Sequence, residues 1–349
     1  MNAAISVRNL HRYFGSIKAV DDVSFEIPPG QVVGFVGANG AGKTTTMRIV
    51  ATLEYPTAGE VSIAGRDVVQ YPAEVRRIIG WMPDSYGAYD HMTVLEYLDF
   101  YARAMGFRGT ERDRRVQEVM AFTDLVPLSG RLINKLSKGM GQRLCLGRSL
   151  IHDPEVLIMD EPAAGLDPRA RVELKQLIRL LADEGKTIFI SSHILGELQE
   201  MCDYLLFINR GKIIHYGTAE ALLEAAGDRV IIQVQLAGES SRLADWAAVT
   251  PHVRYVSDLR GGGRIEVDHE SPDGLAELLR RMVNAGLPVI DFHRERRRLE
   301  DAFIQIVGNM ESAEAALLLQ TVQASGPSPA PVPPPPLPAA APGGADSPS

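Results

Sequence analysis

Gly37-Ala38-Asn39-Gly40-Ala41-Gly42-Lys43-Thr44-Thr45 fits the pattern G-x-x-x-x-G-K-[ST], and each residue type in it has a physical reason to be there. Glycines let the backbone curl through positive φ and approach a polyphosphate with no Cβ in the way, so that successive N–H groups point inward. A helix that follows adds its positive N-terminal dipole. Lys43 has the reach to pair with β- and γ-phosphates, and the Thr44 hydroxyl is placed to ligate the Mg²⁺ that accompanies them. The flanks agree. Gln31-Val32-Val33-Gly34-Phe35-Val36 is a short apolar run of strand character, and Thr45 to Leu53 reads as the following helix, with Met47, Val50 and Leu53 spaced for a buried face. A glycine-rich surface turn holding Lys-Thr by chance would lack this order of strand, loop and helix.

A second element is Val156-Leu157-Ile158-Met159-Asp160-Glu161-Pro162, an apolar strand that ends in two adjacent carboxylates. A buried strand of this kind delivers its acids to the C-terminal edge of a parallel sheet, beside the phosphate loop. Asp160 is expected to bind Mg²⁺ through its water shell, as the corresponding acid does in phosphate-loop NTPases. Glu161, one residue on and aimed elsewhere, is suited to orient and polarise an attacking water.

Length and composition set the bounds. The chain has 349 residues, which suits about two domains. Hydrophobic residues at 45% and charged residues at 23% are ordinary for a globular protein. A formal net charge of −8 and a pI near 5.6 argue against a dedicated nucleic-acid binder. The local cluster Arg294, Arg296, Arg297 and Arg298 reads as a solvated helix-start face. Cys145 and Cys202 both sit in apolar segments, the pattern of reduced, buried thiols in a cytosolic protein. Met1 to Val7 lacks the features of a secretory signal, and no apolar run approaches the ~20 residues that span a bilayer, so a membrane role must come through a partner.

Up to about Gly217 the chain alternates short β-rich runs with helical patterns, as in an α/β architecture with a largely parallel core sheet. A smaller α+β unit follows. Strands are expected at Val230–Leu236, Val253–Val256, Arg264–Val267 and Pro288–Phe292, with helices at Leu275–Ala285 and Leu299–Val307. A helix-prone stretch, Glu311–Gln323, then gives way to a tail holding ten of the 22 prolines. Such a tail cannot bury enough apolar surface to offset its chain entropy and is expected to be disordered. Pro333 to Pro336 read either as plain tail or as a polyproline II ligand.

Between the two phosphate elements lies Leu136-Ser137-Lys138-Gly139-Met140-Gly141-Gln142-Arg143. Together with them it resembles the signature of ATP-binding cassette (ABC) ATPases, usually Leu-Ser-Gly-Gly-Gln, from which Lys138 and Met140 depart. The resemblance runs over residues 3–220 and implies a P-loop NTPase core, with residues 85–150 as an inserted helical subdomain, 221–308 as a small α+β accessory domain and 309–349 as the tail. It implies ATP and Mg²⁺ as ligands. Ser137, Gly139 and the helix start after them are the parts that bind phosphate in the opposite subunit of the family's dimer. Phe14, which lies 23 residues before Gly37, resembles the aromatic that stacks on adenine, ahead of Tyr13. Ala164-Gly165-Leu166-Asp167 resembles the loop that communicates across the dimer, with Asp167 as its acid, and His193 resembles the switch histidine that contacts the γ-phosphate and holds Glu161. Asp84, in Ile79-Gly80-Trp81-Met82-Pro83-Asp84, stands where the family carries the glutamine of its Q-loop, and is expected to contact Mg²⁺ directly or through water.

The resemblance thus implies an ATP-hydrolysing subunit that closes head to tail with a second copy or a paralogue and drives a separately encoded membrane permease from the inner face of the cell membrane. Leu299-Glu300-Asp301-Ala302-Phe303 resembles the C-terminal extension of ABC-2 type, export-associated ATPases. Tyr86, Tyr89, Met92, Leu95 and Tyr97 read as core or as part of the groove that accepts membrane coupling helices. Two further readings are open: a regulatory module that binds ATP and hardly hydrolyses it, motivated by Asp84, Lys138 and Met140, and a soluble ABC protein of translation or repair. The paired cassettes or long coiled coil of the last class are not seen.

Overall fold

In the computed structural model, residues 3–84, 87, 91–199, 201–225, 230–237, 241–267, 272–295 and 299 are described. The expectations for Tyr86, Tyr89, Arg296, Arg297, Arg298, the helix beyond Leu299 and the Pro-rich tail lie outside these residues.

Two long strands, β1 (Ile5–Phe14) and β2 (Ile17–Ile27), pair as an antiparallel hairpin around Gly15, and the fully buried β3 (Val32–Val36) leads into the phosphate loop and α1 (Lys43–Val50). Next come β4 (Ala58–Ile63), β5 (Arg66–Asp67), α2 (Pro72–Ile78) and β6 (Ile79–Met82). A helical stretch follows, with α3 (Val94–Ala104), α4 (Gly109–Phe122) and α5 (Lys138–Leu150). The chain returns through β7 (Val156–Met159), α6 (Pro168–Asp183), β8 (Thr187–Ser192), α7 (Leu195–Gln199), β9 (Tyr204–Asn209), β10 (Lys212–Gly217) and α8 (Ala219–Ala225). The last elements are β11 (Val230–Leu236), α9 (Ser241–Val249), β12 (Val253–Leu259), β13 (Gly262–Val267), α10 (Pro272–Asn284) and β14 (Val289–Arg294).

These strands form three sheets. The central one has the order β10-β9-β3-β8-β7-β6, parallel throughout except at the β10 edge. Strands β3, β7 and β8 are buried on both faces, which is why they read as largely apolar runs. Period-2 alternation sorts the side chains. Val33, Phe35, Ile158, Phe189, Leu206 and Ile208 join one core, shared with the antiparallel sheet β2-β1-β4-β5. Val32, Val36, Leu157, Met159, Ile188, Ile190 and Phe207 join a second core with the helices. The antiparallel sheet β12-β13-β11-β14 has its own core, in which Ile232, Val234 and Ile265 meet Leu243, Leu278 and Met282.

Several residues depart from expectation. Leu53 is 46% exposed rather than buried, because α1 stops at Val50 and Thr52 turns the chain with φ 62°. Arg294 ends β14, paired with Ile232, and does not start a helix. Cys145 is buried, with its thiol pushed up to about 11 by burial, whereas Cys202 is only half-buried, and both are free thiols. Tyr97 is core, its hydroxyl accepting from Arg148 at 3.1 Å, and Met92 packs on that core. Helix α9 and the antiparallel sheet β2-β1-β4-β5 lie outside the elements expected from sequence. Among the described residues no helix is long and apolar enough to cross a membrane.

The ring of Phe189 is fully buried, 5.2 Å from that of Phe35 and 5.6 Å from that of Phe25. Phe189→Ala is expected to cost about 3–5 kcal/mol in urea unfolding. Leu53→Ala should stay within about 0.5 kcal/mol of wild type.

Candidate functional site

Four neighbouring parallel strands end on one edge of the central sheet, and a chemically active residue follows each. The phosphate loop follows β3, His193 follows β8, Asp160 and Glu161 follow β7, and Asp84 lies just beyond β6. This is the edge at which α/β sheets bind ligands.

The loop is shaped by its own backbone. Gly42 takes φ +110°, and a Cβ there would lie 2.5 Å from the Ala19 carbonyl oxygen, so only glycine fits. As the N-cap of α1 it offers no side chain to the first helical N–H groups, which leaves them for an anion. Lys43 is buried, and its Nζ donates to the carbonyls of Gly37 at 2.7 Å and Ala38 at 3.3 Å and lies 3.5 Å from Glu161 Oε1. Ala41 sits beneath, its carbonyl accepting from Gly211 N–H at 2.9 Å.

Asp160 is only 2% exposed. Burial holds its carboxyl above the usual carboxylate range, the charges of Asp84 and Glu161 push the same way, and hydrogen bonds from Ser191 and Thr44 pull back. Ser191 ties the two acids together: its hydroxyl donates to Asp160 Oδ1 at 2.7 Å and accepts the Glu161 N–H at 2.9 Å. Sequence reasoning missed this residue, whose one signal is a Ser-Ser pair closing an apolar strand. Glu161 has φ 50°, a costly conformation for a residue with a Cβ. Its Oε2 lies 2.7 Å from His193 Nδ1 and accepts the His193 backbone N–H at 3.3 Å.

Lys43, Glu161 and His193 line a cleft of about 560 Å³ with Phe14, Ala19, Asn39, Gly40, Gly42, Thr44, Thr45, Asp84, Lys138 and Ala164. Phe14 is 43% exposed, with the Arg12 guanidinium 4.2 Å from its ring centroid on one face. Tyr13 is held elsewhere, its hydroxyl 2.8 Å from both Asp21 Oδ1 and His11 Nδ1. Among the described residues no group of three or more His, Cys, Asp or Glu is arranged to hold a metal. The Thr44 hydroxyl and the carboxylates of Asp160 and Asp84 are hard oxygens of limited charge, a set that suits Mg²⁺, which keeps waters and shares substrate phosphates.

Ser137, Gly139 and Asp167 lie apart, in a second cleft of about 330 Å³. Here Ser137 caps α5, accepting from Met140 N–H, and Asp167 caps α6, accepting from Ala170 N–H at 2.9 Å. The described residues of one chain therefore hold the predicted site as two separate halves.

The family profile described as ABC transporter matches residues 20–164. The bacitracin transport ATP-binding protein BcrA of Bacillus licheniformis is 33% identical over 311 residues, which cover 88% of this chain and 98% of that protein. This chain belongs to the ABC transporter family. Escherichia coli has a relative, "Probable multidrug ABC transporter ATP-binding protein YbhF", 33% identical over 92% of this ABC chain but only 55% of its own length, so the chain spans about half of that relative. A bacterial ABC transporter cassette solved as a dimer is 26% identical, with a TM-score of 0.57 over 61% of this chain and 98% of that one. The α/β fold is that of the ABC ATPase cassettes.

A pH test follows from Asp160. Its raised pKa means that the folded chain is penalised at pH values above it and is relieved when the carboxyl takes up a proton. Asp160→Asn keeps an acceptor oxygen for Ser191 and removes the charge, so without nucleotide it should melt above wild type at pH 7. The difference should shrink as the pH falls through the raised carboxyl pKa and vanish below the ordinary carboxylate range, where the carboxyl is protonated in folded and unfolded chains alike. Differential scanning calorimetry across that range checks the sign.

Proposed function

We propose that this chain is the ATP-hydrolysing subunit of an export-type ABC transporter, closing head to tail with a second subunit on two ATP molecules and driving a separate membrane permease. The observation that carries this reading is the division of the site. Lys43, Glu161 and His193 line one cleft and Ser137, Gly139 and Asp167 another, so each chain offers two complementary half-sites. The dimeric state of the solved relative and the names of the bacitracin and multidrug relatives support the dimer and the export class.

In this mechanism the open face of Phe14 stacks on adenine, while the N–H groups at the start of α1 and the Lys43 ammonium hold the phosphates. Thr44, Asp160 and Asp84 would hold Mg²⁺, which when bound would supply neutralisation of the phosphate charge. Glu161 orients and polarises the attacking water, and His193 fixes the carboxylate through Nδ1. Ser137 and Gly139 of the second subunit complete the phosphate cage, and the loop carrying Asp167 joins the two sites. Nucleotide-driven closure moves the permease, which places the subunit at the inner face of the membrane by attachment. The cargo is selected by the permease.

Turnover by the purified protein, alone and with its co-purifying membrane partner, tests the reading. Glu161→Gln should lower kcat by about 10²–10⁴-fold while ATP still binds. With ATP this variant should accumulate as a dimer by light scattering. A wild-type rate no higher than that of Glu161→Gln would replace the motor with a regulatory ATP binder. His193→Ala is expected to lower kcat by at least about tenfold, since it holds the Glu161 carboxylate in place.

A further inference from the structure

Arg12 and Phe14 lie two residues apart on β1, and the Arg12 guanidinium sits 4.2 Å from the centroid of the Phe14 ring. Its Nη2 donates to Glu54 Oε1 at 2.8 Å, while its Nε is buried with no hydrogen-bond partner among the described residues. A guanidinium carries five N–H donors in one plane, so a single ion pair does not fix that plane, and the aromatic ring beside it does. The arrangement gives up a hydrogen bond and keeps a stack. Glu54 reaches Arg12 from the far end of the phosphate helix. Leu53 N–H donates to the Arg48 carbonyl in the last turn of α1 at 2.7 Å. The same connection is then tied to β1, with Thr57 N–H donating to the His11 carbonyl at 2.7 Å and Thr57 Oγ1 accepting the Tyr13 N–H at 3.0 Å. Helix α1 thus begins at the phosphate loop and ends at the clamp on Arg12. The Tyr13 hydroxyl is committed to Asp21 at 2.8 Å, which leaves Phe14, lining the cleft, as the ring open to a base.

We propose that Arg12, clamped by Glu54, is a positioning residue for the purine base: it backs the Phe14 ring, so that the base stacks on a platform of fixed tilt. The inference rests on the ATPase reading and adds to it an ion pair behind the cleft wall. An aromatic ring carries its negative charge on its faces, and two bare faces repel when stacked flat. A cation behind one ring draws that density backward, which favours a flat stack in front, and its bulk limits the swing of the ring. Because every adenine nucleotide carries the same base, Arg12 acts on the diphosphate and the triphosphate alike.

The test is binding by the full chain with Mg²⁺, using ADP, the non-hydrolysable imido analogue of ATP, and inorganic tripolyphosphate, which has no base. Arg12→Met removes the flat cation, and should weaken both nucleotides about fivefold while leaving tripolyphosphate within about twofold. In a Phe14→Leu background the same change should cost less than about twofold, since no ring is left to back. Glu54→Gln keeps the shape of the clamp and removes its charge. It should weaken both nucleotides about threefold, and it carries the test if Arg12→Met does not fold. The assignment is overturned if these variants bind nucleotides as wild type does, if tripolyphosphate weakens with the nucleotides, or if the loss is confined to the triphosphate analogue. It is overturned equally if Arg12→Met costs as much without the Phe14 ring as with it. If wild type binds neither nucleotide, it is the ATPase reading that fails.

Discussion

The alignment of four parallel strands is the constraint on which the site depends. Val36 is paired with Ser192 across β3 and β8, Met159 with Ile190 across β7 and β8, and Met82 with Met159 across β6 and β7. That register sets Asp160 level with Ser191 and places the loop, the acids, His193 and Asp84 at one sheet edge. A slip of one residue would turn every core side chain to the wrong face and would separate Asp160 from its hydroxyl partner. The burial of both faces holds the register. Phe35 and Phe189 stack on one side while Val36, Met159 and Ile190 pack under the helices on the other.

At that edge the chain accepts local costs. Asp160 is a carboxylate in a poorly solvating place, Glu161 is held in a left-handed backbone conformation, and the start of α1 has no side-chain cap. Each would be a defect elsewhere, and together they describe a cleft arranged for a ligand. Ser191 keeps the arrangement from relaxing by binding one acid through its hydroxyl proton and the next through its lone pair.

Legibility in the sequence followed the range of the interaction. The strand, loop and helix around residues 31–50 could be read because local periodicity and glycine chemistry determine them, and β7 and β11 lie where their apolar and alternating patterns place them. Leu53 was misread because helical spacing continues past the point where Thr52 turns the chain. Nothing in the composition of β1 and β2 separates an antiparallel hairpin from strands of a parallel sheet. The partnership of residues 160 and 191 is long-range, and no local pattern announces it.

By itself the sequence determined the chemistry on offer: a polyphosphate loop with its lysine and threonine, two carboxylates at a strand end, and a signature segment altered at Lys138 and Met140. These are properties of residue type and short spacing, set by steric freedom, charge and donor inventory. Only the tertiary structure decided which of those groups share a cleft. It gathered Lys43, Asp84, Glu161 and His193 from four strand ends, set Ser137 and Asp167 apart, and laid Lys138 over Gly165. The reason is that strand register, burial on both faces of the sheet and the close approach of two loops involve residues far apart in the chain, whose meeting exists only once the core has packed.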